Sequence, residues 1–238
     1  MKSDIPYVSE LKDLFDQTKI TKQSHIIDVS AGTGFPALEL IELGYNIDCM
    51  DAMDDEIAVF TKKAKKKGLK TRCKKLTWLE IPKHYKKEDY NLVFCRGNSF
   101  IYAAGGWNRA QGVDKKKSLE IYEKTLKVFY NLLEDGGTLY IDKFKDSEKP
   151  HKTKVGVVQI KDKKYDLIFY NEVNKKSKER YAAMLLRDEN GVEKGLPNMT
   201  YLLDGKELIA MMKKVGFKKV KKITLESEGH FDVWLATK

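Results

Sequence analysis

His25-Ile26-Ile27-Asp28-Val29-Ser30-Ala31-Gly32-Thr33-Gly34-Phe35-Pro36-Ala37-Leu38-Glu39-Leu40 passes from a β-branched run, through a glycine-rich turn, into a helix. Ile26 to Val29 has the continuous apolar character of a short strand buried on both faces. Ala31 to Gly34 is the turn. The spacing predicts a helix from about Phe35 to Leu43, with Pro36 in its first turn, where a missing N–H costs nothing. Gly44 follows as the helix stop. A strand that enters a helix through a tight glycine turn is the first half of a parallel β-α-β unit.

Working outward, the alternation continues. Asn46 to Met50 reads as a second strand ending at Asp51. A helix from Asp54 to Lys67 opens on acids and closes on lysines, as the helix dipole favours, and Gly68 stops it. Strands at Lys70–Lys74 and Tyr90–Cys95, a helix at Leu119–Leu133 and a strand at Thr138–Lys143 complete a doubly wound, mostly parallel, Rossmann-like α/β sheet. Upstream, Val8, Leu11, Leu14 and Phe15 fall at helical spacing, which predicts a leading amphipathic helix over Tyr7–Gln17. Downstream, Val155–Ile160, Lys164–Asn174 and Arg180–Arg187 read as consecutive strands, and Asn190-Gly191 is a strong turn signal. A helix at Asp204–Val215 and strands at Lys218–Leu225 and Asp232–Ala236 close an antiparallel C-terminal elaboration.

In such a sheet ligands bind beyond the carboxyl ends of the strands, next to strand one. The glycines of the first turn let the backbone approach a ligand closely. Asp51, nineteen residues after Gly32, stands where a carboxylate accepts both hydroxyl protons of a ribose. Gly32, Gly34 and Ala37 also satisfy the dinucleotide fingerprint, so the glycines alone do not separate NAD from S-adenosylmethionine (SAM). Asp28 separates them better. An acid in the last turn of a buried strand repels a pyrophosphate and attracts a cationic amino acid group such as that of SAM. Its plain structural alternative is a turn cap.

The stretches Asp28 to Gly34, Asp51-Ala52-Met53 and Phe94-Cys95-Arg96-Gly97-Asn98-Ser99-Phe100 together resemble the class I SAM-dependent methyltransferases. Residues 94–100 are similar to the glycine/sarcosine N-methyltransferase group. The resemblance implies a SAM cofactor, with S-adenosylhomocysteine as product, and a small-molecule acceptor, most simply an amine nitrogen. It implies that Gly32 and Gly34 approach the methionine part, that Asp51 holds the ribose and that Leu76 and Thr77 flank the adenine. Cys95 and Gly97 would lie beside the sulfonium. Asp28, Ser30, Ala52, Met53 and Arg96 belong to the same cofactor-contacting set. Asn98 would face the acceptor and orient it through its carbonyl oxygen, with Tyr102, Trp107 and Tyr7 as an aromatic wall, since aromatic faces attract cationic amines. Glycine-methylating relatives hold the substrate carboxylate with an arginine just after strand five. Here the stretch reads Asp142-Lys143-Phe144-Lys145 and Phe144 takes that place. The expected organisation is one methyltransferase domain over 1–238: an N-terminal helix or lid (1–23), a SAM-binding core (24–145), antiparallel strands over the acceptor site (146–202), and a closing helix and strands (203–238).

Composition narrows the alternatives. The chain is 42% apolar and 34% charged, which is globular. Its net charge of +10 invites an RNA- or protein-directed methyltransferase as the second reading, but forty of the 45 basic residues are lysine. Arginine is the residue that bidentate phosphate and base recognition favours, and the lysines are interspersed with acids, so a nucleic-acid partner is not expected. A third reading is a non-catalytic SAM- or NAD-binding module. Cys49, Cys73 and Cys95 each sit in a strand-like run and the four histidines are scattered, so neither disulfides nor a metal is expected. The longest apolar runs fall far short of the roughly 20 residues a membrane span needs. Met1 to Glu10 lacks a signal pattern, and the expected location is the cytoplasm.

Overall fold

The computed structural model describes residues 4–105, 113–146 and 149–238. In chain order the strands are β1 (His25–Asp28), β2 (Asn46–Asp51), β3 (Cys73–Lys75), β4 (Tyr90–Cys95), β5 (Leu133–Phe144), β6 (His151–Ile160), β7 (Lys163–Asn174), β8 (Glu179–Arg187), β9 (Glu193–Tyr201), β10 (Lys219–Ile223) and β11 (Phe231–Thr237). The α-helices are α1 (Asp4–Gln17), α2 (Ala37–Glu42), α3 (Asp54–Lys66), α4 (Lys115–Leu132) and α5 (Gly205–Val215). The chain divides into two compact units.

The first unit holds the residues up to Phe100, Glu123–Lys145 and Leu208–Lys238. Its seven-stranded sheet runs β10-β11-β5-β4-β1-β2-β3, with β5, β4, β1, β2 and β3 mutually parallel and β10 and β11 antiparallel. Strand order reverses between β1 and β4, which places the switch point at the glycine turn. Ile26, Ile27, Leu92 and Val93 are buried because β1 and β4 lie inside the sheet. Helix α1 lays Tyr7, Leu11 and Phe15 against Ile26, Leu92, Phe94, Tyr140 and Val233. In a separate cluster Leu38 of α2 and Phe60 and Ala64 of α3 pack on Cys49 and Cys73. Burial of each large side chain of this kind contributes about 1.5–3 kcal/mol. Helix α2 begins two residues later than its sequence pattern suggests, leaving Pro36 at the N-cap. Strand β5 begins five residues earlier, because Leu133 pairs with Tyr90 before the register shifts. All three cysteines are free and buried.

The second unit holds Ile101–Tyr122 and Asp146–Glu207. Its antiparallel sheet has the order β6-β7-β8-β9. Asn190-Gly191 makes the β8–β9 turn, where Asp188 Oδ1 accepts the N–H groups of Asn190 and Val192 and Gly191 takes φ +77°. Strand β9 lies within the expected antiparallel segment but was not among its individually expected strands, and it contains Gly195 and Pro197. It forms at the sheet edge, where proline is tolerated. A Cβ on Gly195 would meet Met184 O at 2.2 Å, so the close pairing with β8 requires glycine.

Candidate functional site

The turn after β1 is stitched to both neighbouring strands. Val29 N–H donates to Phe94 O and Ala31 N–H to Met50 O. Ser30 Oγ donates to Arg96 O at 3.1 Å and accepts Arg96 N–H at 2.9 Å, tying the ends of β1 and β4 together. Trp78 Nε1 donates to Val29 O at 2.6 Å from the segment after β3. Asp28, 2% exposed, accepts Ser30 N–H on Oδ1 at 3.0 Å, and its Oδ2 has no hydrogen-bond partner among the described residues. Burial pushes the Asp28 carboxyl up to about 7, against the lowering effects of Ser30 N–H and the Arg96 charge.

Asp51 anchors the glycine turn from the end of β2. Its Oδ2 accepts Gly32 N–H and its Oδ1 accepts Met53 N–H, both at 2.9 Å. Each carboxylate oxygen keeps acceptor capacity after one such bond. Gly32 and Gly34 then differ. A Cβ on Gly32 would meet Glu56 Oε2 at 3.7 Å and Ser30 O at 3.9 Å, ordinary contact distances, so the site tolerates a Cβ sterically and glycine is favoured there by its φ of +51°. A Cβ on Gly34 would lie 2.5 Å from Leu38 Cδ1, so this glycine serves the packing of α2 rather than ligand approach.

The end of β4 is clamped by the end of β5. Gly97 and Asn98 both adopt positive φ, and their N–H groups donate to Asp142 Oδ2 and Oδ1 at 3.0 and 2.7 Å. Asn98 Oδ1 in turn accepts Phe144 N–H at 3.0 Å. Burial holds Asp142 at about 6, partly offset by the two backbone N–H donors. The Arg96 guanidinium pairs with buried Glu228 and lies 4.5 Å from the Tyr7 ring centre and 5.3 Å from that of Phe35. The Tyr7 and Tyr140 hydroxyls share a hydrogen bond at 3.2 Å.

Set against expectation, Asp28, Ser30, Gly32 and Asp51 come together at the carboxyl ends of β1 and β2, with the Arg96–Gly97 backbone beside Ser30. Ala52 and Met53 are exposed after β2, and Leu76 is buried with its N–H on Asp51 O. Several of the remaining side chains have partners within the fold. The Asn98 carbonyl oxygen expected to orient an acceptor is used inside the fold, on Phe144 N–H. Tyr7 supports the Arg96 guanidinium instead of offering a free aromatic wall, and Arg96 directs its side chain to Glu228 and α1. Cys95 is fully buried, and the Thr77 hydroxyl donates to Glu80 in a capping box. Tyr102 is half-buried in the second unit, and Trp107 lies outside the described residues. Asp142, Glu228, Phe35 and Trp78 were not read as site residues. Asp142 carried a usable signal, an acid at a strand's carboxyl end like Asp28 and Asp51. Glu228, 132 residues from Arg96, carried none.

A model of the methyltransferase domain matches residues 20–181. The chain belongs to that family. Over 117 residues it is 27% identical to a glycine/sarcosine N-methyltransferase from Aphanothece halophytica, a match covering 49% of this chain and 39% of that protein. The chain thus spans about two fifths of that relative's length. Among solved structures it is similar to a SAM-dependent methyltransferase from Clostridium acetobutylicum, with a TM-score of 0.68, 13% identity, and 98% and 91% of the two chains covered. It is also similar to the SAM-bound amino pentose methyltransferase CalS10 from Micromonospora echinaspora, with a TM-score of 0.67, 12% identity, and 96% and 90% covered. Among the described residues no helix is long and apolar enough to cross a membrane.

Proposed function

We propose that the chain methylates an amine nitrogen of a small molecule by in-line displacement. The observation that carries this is the grouping of Asp28, Gly32 and Asp51 at the switch point: a buried carboxylate with one oxygen unbonded, a left-handed glycine turn without a side chain, and a second carboxylate with acceptor capacity on both oxygens. These residues fit SAM. Asp28 Oδ2 would take the ammonium group, Gly32 would border the methionine chain and Asp51 would take the ribose hydroxyls. SAM supplies a methyl group already activated on a cationic sulfur. The protein's part is therefore alignment of the acceptor lone pair and exclusion of water. The amine binds neutral or gives its proton to solvent. Asp142 and Asn98 act as positioning residues that fix the loop after β4.

Nitrogen as the acceptor atom is supported by the N-methyltransferase relative and by the stretch at residues 94–100. Glycine as the acceptor is not favoured. Phe144 stacks on Phe231 at 4.4 Å, and Lys143 and Lys145 direct their ammonium groups to the carbonyls of Phe144 and Gly229. The lysine-rich surface forms exposed pairs such as Lys75–Asp54 and Lys214–Glu123, which suits a solvated face rather than a polyanion site. The test is methyl transfer from labelled SAM to a panel of amines, amino acids, phenols and tRNA. Turnover confined to amines supports the proposal, and transfer to tRNA or to phenols alone overturns it.

A further inference from the structure

The first turn of α3 carries three acids, Asp54, Asp55 and Glu56, where the helix dipole favours negative charge. They do not share one role. Asp54 Oδ2 accepts Lys75 Nζ at 2.6 Å, and Asp55 is exposed. Glu56 is half-buried and reaches back to the glycine turn after β1, its Oε2 3.7 Å from the position a Cβ would take on Gly32. Among the described residues its carboxylate makes no hydrogen bond and no ion pair. The charged groups that face it are Asp51, Asp55 and Lys63, and the Lys63 ammonium is held on Thr33 Oγ1 at 2.9 Å. Burial, and then the Asp51 charge, push the Glu56 carboxyl upward against the lowering effect of Lys63.

The fold gains little from this carboxylate. It loses water, faces a like charge and receives no donor, and Asp54 and Asp55 already meet the helix dipole without those costs. Ionisable groups held in such settings concentrate where a ligand meets them. What that ligand must bring is donors. Asp51 Oδ1 and Oδ2 each accept one backbone N–H, whereas both oxygens of Glu56 are unspent. A ribose presents two adjacent hydroxyls, and a hydroxyl donating to a carboxylate makes a short, charge-assisted bond. A phosphate would instead add a further negative charge beside two carboxylates.

We propose that Glu56 is a second carboxylate contact for the cofactor's ribose, sharing its two hydroxyls with Asp51, and that the pair makes a free diol a condition of tight binding. The inference rests on the methyltransferase reading above and adds a specificity-determining residue to its cofactor site. The probes are S-adenosylhomocysteine and the two analogues that each lack one ribose hydroxyl. Calorimetric affinities and thermal melts are measured on the full chain, as wild type, Glu56→Ala and Glu56→Gln. Glu56→Ala should weaken S-adenosylhomocysteine roughly tenfold or more and leave Tm unchanged or higher. Glu56→Gln should fall in between, because its amide oxygen still accepts. A merely structural role weakens all three ligands in proportion. A contact couples instead: one of the two analogues should cost the wild type roughly tenfold in affinity and Glu56→Ala less than about threefold. Unchanged affinity in Glu56→Ala, or losses for both analogues that are equal in wild type and variant, overturns the inference and leaves the methyltransferase reading standing. A large fall in Tm of Glu56→Ala also overturns it, since the carboxylate would then serve the fold. Failure of the wild type to bind S-adenosylhomocysteine removes the reading beneath it.

Discussion

Replacing Asp28 by asparagine should make the protein more stable at alkaline pH and a poorer binder of its cofactor. Asparagine keeps an oxygen for Ser30 N–H and removes the buried charge. The Asp28 carboxyl rises from 3.8 to about 7, first because it is buried. At 1.36 kcal/mol per unit that is about 4 kcal/mol. Its folded pKa lies above its unfolded one, so between about pH 4 and pH 7 the native chain holds a proton that the unfolded chain has released. Stability from this group is therefore greatest below about pH 4 and is lost as pH climbs to about 7. Asparagine does not titrate. The variant should match wild type near pH 4 and exceed it by up to about 4 kcal/mol at pH 8, or roughly 8–16 °C in Tm for a chain of this size. Urea unfolding across pH 4–8 measures this directly. In the same variant, loss of the carboxylate proposed to meet the ammonium group should cost about 2–3 kcal/mol of S-adenosylhomocysteine affinity, roughly 30- to 150-fold by calorimetry. A wild-type–variant difference that is flat with pH, or unchanged product affinity in the folded variant, refutes the reasoning.

Asp51→Ala should weaken SAM binding by a similar factor of roughly 30- to 150-fold, and wild-type affinity by calorimetry would remove the ribose assignment. Gly34→Ala should lower stability by roughly 2–4 kcal/mol in urea, since its methyl enters Leu38 at φ +102°. Gly32→Ala, whose methyl would meet only ordinary contacts, should cost about 1–2 kcal/mol of stability for its left-handed backbone and act mainly on SAM affinity. Equal stability losses in the two variants would contradict that division. Asp142→Ala should cost about 2–4 kcal/mol by leaving the buried Asn98 N–H, and the more exposed Gly97 N–H, without their acceptor, and a loss below about 1 kcal/mol in urea would show that the clamp is not needed.

Much of the fold was legible because it rests on local pattern. Tyr90–Cys95 needed only its apolar run, and α3 only its acidic start, lysine end and Gly68. The misses occurred where tertiary pairing overrode local preference. Gly195 and Pro197 argue against a strand until β8 offers an edge on which a missing N–H is harmless and a missing Cβ is required. Leu133 to Gly137 reads as a helix end and stop, yet pairing with Tyr90 draws that segment into β5 through a register shift. Neither outcome is encoded within reach of the residues themselves.

The site was legible by residue type and opaque by role, and the three strand-end aspartates show why. Asp28, Asp51 and Asp142 occupy the same kind of position, at the carboxyl ends of β1, β2 and β5. Asp142 gives both oxygens to the Gly97 and Asn98 N–H groups and becomes the clamp of the loop after β4. Asp51 takes one N–H on each oxygen while staying half-exposed, which secures the glycine turn and leaves acceptor capacity outward. Asp28 receives a single N–H, on one oxygen, and is only 2% exposed. Those differences follow from strand register: Asp142 meets Gly97 across 45 residues of sequence, and Ser30 meets Arg96 across 66. A carboxylate with one hydrogen bond and little solvent is the one whose charge is least compensated by the fold, so an incoming cation gains most there. On the proposed reading, Asp28 is therefore the one of the three aspartates expected to tie cofactor binding to the pH dependence of stability.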